Sequence, residues 1–274
     1  MSACSEPQAR LTQLVEARRL ASDLHVQFAH AADASNRAVM ADTDAGAAAA
    51  ADEARAARDA VGRNAGALRS LLQSLGYRDD MRALEGFTGR FEEYRQIDDE
   101  ILPLSVENTN VKAQRLSFGA AQEAAEAFRS ALDRAVEQRD GGDVWHSQAL
   151  GARAINAVLR VQVLQAPHIA EGDLAAMTRM EQEMAASEAA TRSAVQALAR
   201  VLPASASPHL AEATAALNRF ARINKEVITL SRRNSDLYSL ALSLGRKRTV
   251  AADCEAQLAA LEDALAKHEF TATR

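Results

Sequence analysis

Few side chains in this 274-residue sequence have both the type and the spacing for chemistry. The strongest run is His168-Ile169-Ala170-Glu171, followed by Met177, Met180 and Met184. His168 and Glu171, three apart, would share one face of a helix. Imidazole and thioether together suit copper or haem iron. A turn at Pro167-His168 with a methionine stripe filling core gaps explains the same residues without a ligand, and is preferred. Neither a Cys-x-x-Cys-His haem attachment nor the Glu-x-x-His pair of di-iron bundles occurs, so no metal and no cofactor is assigned. Ser105, Ser117, Ser231 and Ser243 have no histidine near them in sequence, and there is no Gly-rich phosphate loop. The expectation is a protein that is not an enzyme.

A second set of polar residues recurs at a fixed interval. Asn108, Asn110, Ser105 and Arg115 stand near one expected turn, and Asn234, Asp236, Ser231 and Arg232 near another. Helix capping is the favoured role for such residues. If a ligand binds, His168, Glu171, Asn234, Asp236 and Arg232, with Asn108, Asn110 and Arg115 in the first copy, are the residues expected to hold it. The first copy is expected to act mainly as scaffold, because Asp42 stands where the second has His168.

The elements that must position these groups are helices. Apolar residues make up 48% of the chain, many of them alanine, and aromatics only 4%; alanine has the highest helix propensity, whereas strands need branched and aromatic residues. Phe118, Ala121, Ala125, Phe128, Leu132 and Ala135 follow the four-three step of a helix seam. So do Leu240, Leu244, Ala251, Cys254, Leu258, Leu261 and Leu265, with Lys247 as the polar interruption. Leu24, Phe28, Ala31, Ser35 and Ala38 form a third seam, matched by Leu150, Ala154, Ala157, Val161 and Leu164.

These seams are copies. Phe91–Gly119 and Leu217–Gly245 align without gaps, with eight of 29 positions identical, where chance would give about two. The expected fold is all-α, without sheet: two tandem up-down four-helix bundles at residues 9–140 and 143–270, eight helices in all. Turns are expected at Asp42–Gly46, Gly76–Asp80, Pro103 with Asn108–Asn110, Pro167–Asp173, Pro203–Pro208 and Arg233–Asp236. Alternatively, the third turn of each copy lies near Gly119 and Gly245, with the asparagines inside a longer helix.

Asn36-Arg37-Ala38-Val39-Met40-Ala41-Asp42, with the repeated Leu-Ser-x-x-Asn segment ending in Leu-Ser-x-Gly, resembles the four-helix-bundle ligand-binding domains of bacterial chemoreceptors, the methyl-accepting chemotaxis proteins. The resemblance implies an extracytoplasmic, periplasmic sensor that binds a small molecule between helices, usually as a homodimer. The sequence departs from that family in lacking flanking membrane helices and a cytoplasmic signalling hairpin, and in being duplicated. Ser2-Ala3-Cys4-Ser5 resembles the end of a lipoprotein signal, with Cys4 as the lipidation site and so a membrane anchor, but without the apolar stretch such a signal needs. The net charge of −5 with interspersed signs argues against a nucleic-acid partner.

Overall fold

Local breakers place most helix ends. The computed structural model describes residues 5–138 and 144–268; Cys4 and the expected boundary between the two bundles, at residues 140–143, lie outside them. The first helix, α1, spans Ser5–Val39, and α2 spans Asp44–Leu75. Between them Thr43 is extended, and its hydroxyl accepts the N–H of Gly46 at 3.1 Å, which satisfies one of the first-turn donors. A Cβ at Gly46 would fall 2.7 Å from that hydroxyl, so a larger residue there would displace the cap. Gly76, at φ 75°, closes α2 in the left-handed conformation that glycine adopts at least cost. The next helix, α3, runs Arg78–Glu107, and α4 runs Thr109–Leu116, followed by a π-helical segment, Ser117–Ala121, and α5, Gln122–Glu137.

The second copy repeats the pattern. Its helices are α6 Val144–Ala170, α7 Leu174–Val201, α8 Ser207–Arg233 and α9 Ser235–Leu242, then a π segment at Ser243–Lys247 and α10 at Arg248–Ala266. Asp173 caps α7 by accepting the Ala176 N–H at 2.6 Å. No strand occurs among the described residues, and the helices join into six long runs where single-residue breaks are bridged, rather than the eight separate helices expected.

The prolines correct the expectation. Pro103 lies inside α3 and Pro167 inside α6. Both occupy exposed positions, where water can serve the carbonyl that loses its partner four residues earlier. The helices end a few residues further on, at Asn108 and at Glu171–Asp173, still within the expected turns, as does α8 at Asn234; Asn108 and Asn234, with φ of 52° and 50°, are the only non-glycine residues with positive φ in the described chain. Asparagine tolerates this region better than most residues.

The chain divides into two compact units, and the division differs from the tandem boundaries expected above. Unit 1 comprises residues 5–108 and 238–268; unit 2 comprises 109–237. In unit 1, α10 packs on α3 and α1; in unit 2, α5 packs on α8 and α6. Each unit therefore takes its fourth helix from the other copy. At Asn108 one left-handed residue separates two helices, and the chain runs on out of unit 1 instead of folding α5 back onto α3.

The core of unit 1 centres on Phe28, Phe87, Phe91 and Tyr94, whose rings make edge-to-face contacts at 5.2–6.2 Å and stacked ones at 5.6–6.2 Å, with Cys254, Leu258, Leu261 and Leu265 of α10 closing it. Unit 2 is leaner, built on Ala154, Val161, Leu198, Leu217 and Phe220 with Phe128 and Leu132 of α5. The seams hold with one paired exception. Phe118 and Leu244, 126 residues apart, are both expected inside and are 65% and 63% exposed. Each lies in a π segment, where the wider turn shifts the face presented to the core.

Candidate functional site

Helix ends bring most of the predicted polar residues together in unit 2, and they bond mainly to one another. The N–H of Thr109 donates to Ser235 Oγ at 3.0 Å, and the N–H of Ser235 donates to Thr109 Oγ1 at 3.1 Å. One residue further, the Asn110 N–H donates to an Asp236 carboxylate oxygen at 2.6 Å, and the Asp236 N–H to Asn110 Oδ1 at 3.3 Å. The partners are 126 residues apart, so each copy caps the other's helix reciprocally. Burial raises the carboxyl pKa of Asp236, against the backbone donors that favour its charge.

The turn of the second copy joins this cluster. Asn110 Nδ2 donates to Ile169 O at 2.7 Å and Asn234 Oδ1 at 2.8 Å, and Asn234 Nδ2 donates to Glu171 O at 2.8 Å. Asn234 and Asn110 thus converge with the His168–Glu171 turn, Glu171 through its backbone. Asn108 belongs to unit 1, where it donates to Asp44 at 3.2 Å. Arg115 is exposed on α4.

His168 is neither cap nor turn: it is fully buried inside α6. Its Nε2–H donates to Glu181 Oε1 at 2.9 Å, and Nδ1 lies 3.0 Å from Ser231 Oγ. Arg232 grips Glu181 with two hydrogen bonds, 2.6 and 2.8 Å. That guanidinium holds the Glu181 carboxyl below the usual range against its partial burial, with His168 adding to the effect. A serine, an imidazole and a carboxylate in line suggest a nucleophile relay, but Ser231 is fully buried and its hydroxyl bonds to Val227 O. The chain ties α6, α7 and α8 together. Of the methionine stripe, Met177 and Met184 are core residues. No group of three His, Cys, Asp or Glu side chains fit to hold a metal gathers among the described residues.

The cluster with most chemical potential lies in unit 1. Asp98 of α3 is fully buried, and so is Ser35 of α1; Arg58 of α2 and Lys247 of the second π segment are nearly so. Ser35 Oγ donates to Asp98, and the Lys247 ammonium donates to Ser35 and lies 3.4 Å from Asp98 Oδ1. Arg58 meets the other Asp98 oxygen at 3.2 Å and the exposed Asp99 at 2.7 Å. The Lys247 Nζ also stands 5.6 Å from the Tyr94 ring centroid, within cation–π range. Burial lowers the Lys247 pKa, against the pull of Asp98. It raises that of Tyr94, with Asp98 adding to the effect.

A groove of about 500 Å³ between α1 and the π segment with α10 opens onto this cluster, with Lys247 on its wall beside Asn36, Ser243, Val39, Leu240 and Leu244. Unit 2 has a corresponding cleft of about 320 Å³ between α6 and α5: Val158, Gln162 and Ala125 line it where Ala32, Asn36 and Ala251 line the first. Behind the second cleft, the positions of Ser35, Arg58, Tyr94, Asp98 and Lys247 are held by Val161, Met184, Phe220, Asn224 and Ala121. The layer there is neutral: Gln165 donates to Asn224 Oδ1 at 2.8 Å and Ser117 to Gln165 Oε1 at 2.8 Å.

Sequence reasoning missed Arg58 and Asp98. The legible signal was Ser35 and Lys247, two polar residues on apolar seams; what they pair with depended on which helices meet. Set against known proteins, the sequence matches no family model and no curated protein.

Proposed function

We propose that this chain is a non-enzymatic, extracytoplasmic sensory domain, two four-helix bundles of the chemoreceptor type, and that it binds a small molecule in the α1–α10 groove of unit 1. The observation that carries the reading is the ionic cluster behind that groove. Buried charges are costly unless paired, and replacing them with well-packed neutral groups is often neutral or stabilising. The same framework is built in unit 2 with Asn224, Met184 and Ala121 in those places. The fold does not need the charges, so a role in recognition explains them better than stability does. A concave, mostly apolar groove with a few convergent polar groups is the usual form of a ligand site.

Chain path supports the sensory part. Arg18, within the N-terminal half of α1, donates to the carbonyls of Leu265, Ala266 and His268 at 2.9–3.2 Å. The N-terminal half of α1 and the end of α10 therefore lie together in unit 1, which suits a domain carried on neighbouring membrane anchors. No helix of the described residues is itself long and apolar enough to cross a membrane. A second copy of the chain is the proposed partner.

A thermal-shift screen of small metabolites tests this. The expected result is a stabilising compound whose shift is lost in Asn36→Ala and Ser243→Ala and kept in His168→Ala. Loss in His168→Ala alone would move the site to the α6–α8 cluster of unit 2.

A further inference from the structure

Lysine is rare here. The chain carries 28 arginines and four lysines, Lys112, Lys225, Lys247 and Lys267. One of the four is the cation buried in the ionic cluster. A fixed interior charge is better made by arginine, whose guanidinium forks onto carboxylates and keeps its proton; a buried lysine gives its proton up more readily and can then act as a nucleophile. Arg58 already fills the fixed role beside Asp98.

We propose that the Lys247 amine captures an aldehyde or ketone entering the α1–α10 groove of unit 1, as a reversible protonated Schiff base with Asp98 as its counter-ion. The proposal rests on the groove being the ligand site and names the chemical class of the ligand.

The step balances within the cluster. The ammonium passes one proton to Asp98, 3.4 Å away. The freed nitrogen lone pair bonds to the carbonyl carbon, and the C=O π pair moves to oxygen, which takes a second proton from nitrogen. The resulting carbinolamine loses its hydroxyl as water, with the proton held on Asp98, and nitrogen keeps one hydrogen as the iminium. One cation and one carboxylate stand there before and after, so the pairing of Asp98 with Arg58 is undisturbed. A carboxylate ligand would instead add charge to a cluster already paired through Asp98 and Asp99.

Three further features fit. The Tyr94 ring lies beneath the Lys247 Nζ, 5.6 Å from Nζ to ring centroid, so its π face can stabilise the cation at that nitrogen before and after capture. The groove walls, Val39, Met40, Leu240 and Leu244 among them, suit an apolar body attached to the carbonyl. Lowering of the Lys247 pKa by burial favours the neutral nucleophile. In unit 2 alanine, Ala121, holds the lysine's place, so the chemistry belongs to unit 1 alone.

Reductive trapping tests it. The folded chain is treated at neutral pH with n-butanal and sodium cyanoborohydride, and modified lysines are mapped by mass spectrometry over time. Lys247 is expected to be the first and dominant site of alkylation, ahead of the exposed Lys225 and Lys267, because it lines the groove and burial favours its neutral amine. Asp98→Asn should slow it, Lys247→Arg should abolish the dominant adduct, and labelling in urea should become even across the four lysines. The urea comparison uses the unaltered chain, so it holds even if a variant fails to fold. Labelling of Lys225 and Lys267 with Lys247 unmodified or slower overturns the proposal. A compound that shifts the melting temperature through Asn36 and Ser243 but is never trapped overturns the Schiff base and leaves the sensory reading in place.

Discussion

Single residues on the seams carry opposite roles according to what surrounds them. Cys254 and Lys247 both lie on the fourth helical run of unit 1. Cys254 packs in the apolar core of unit 1 and its thiol is pushed up to about 12, by burial first and then by Asp253. A thiol whose folded pKa is raised contributes stability that is complete below the ordinary value of 9.0 and is lost as pH rises toward 12, because the unfolded chain ionises first. Denaturant unfolding of the native chain and Cys254→Ala should therefore differ in pH dependence. Between pH 9 and 11 the native chain should lose up to about 1.4 kcal/mol more per pH unit than the variant. Parallel curves would mean that the thiol is reached by water. Lys247 met Asp98 and Arg58 instead, and its seam position became a charged site.

At the scale of elements, the asparagine breaks are the decisive joints. Asn108 and Asn234 are the residues identified in the repeat, and the structure gives both a conformational reason: positive φ between two helices. Left-handed backbone costs roughly 1–2 kcal/mol for an ordinary side chain. Asn108→Ala should therefore destabilise by about that amount, with further loss from the bond to Asp44, while Asn108→Gly should cost little through the backbone. Equal losses in alanine and glycine variants, read from unfolding midpoints, would place the whole effect in the side chain. The reciprocal caps at Thr109–Ser235 and Asn110–Asp236 explain why the polar pairs recur. Asn110 and Asp236 take part in those caps, and Asn234 ends α8 in the left-handed conformation.

For the whole molecule, the exchange of fourth helices makes the two units unequal as folding units. Residues 109–237 are one continuous segment and contain all four helical runs of unit 2. That segment, expressed alone, should be helical and unfold cooperatively. Residues 5–108 alone should not, because the face that Leu258, Leu261 and Leu265 cover would be bare; losing even one such buried leucine costs roughly 2–5 kcal/mol. Adding a peptide of residues 238–268 should restore the cooperative transition in circular dichroism. A stably folded 5–108 fragment would show that α10 is dispensable to unit 1.

Much of this was legible without coordinates, because helix propensity, apolar period and cap chemistry are local. The all-α class, the ends of α2 and α7, and the burial of Phe128, Leu132, Leu258 and Leu261 follow from residues within a few turns of one another; the 126-residue repeat and the paired asparagines follow from matching one half of the sequence to the other. Tertiary structure decided the rest. Pro103 and Pro167 stayed inside helices because they face water. Phe118 and Leu244 left the core because a π turn shifted them. The largest difference is the choice of partner helix. A period of 126 residues makes the two fourth helices nearly equivalent in pattern, so nothing local says which copy each should join. That choice put Lys247 beside Ser35, Arg58 and Asp98, and only helix-on-helix packing could assemble the candidate site.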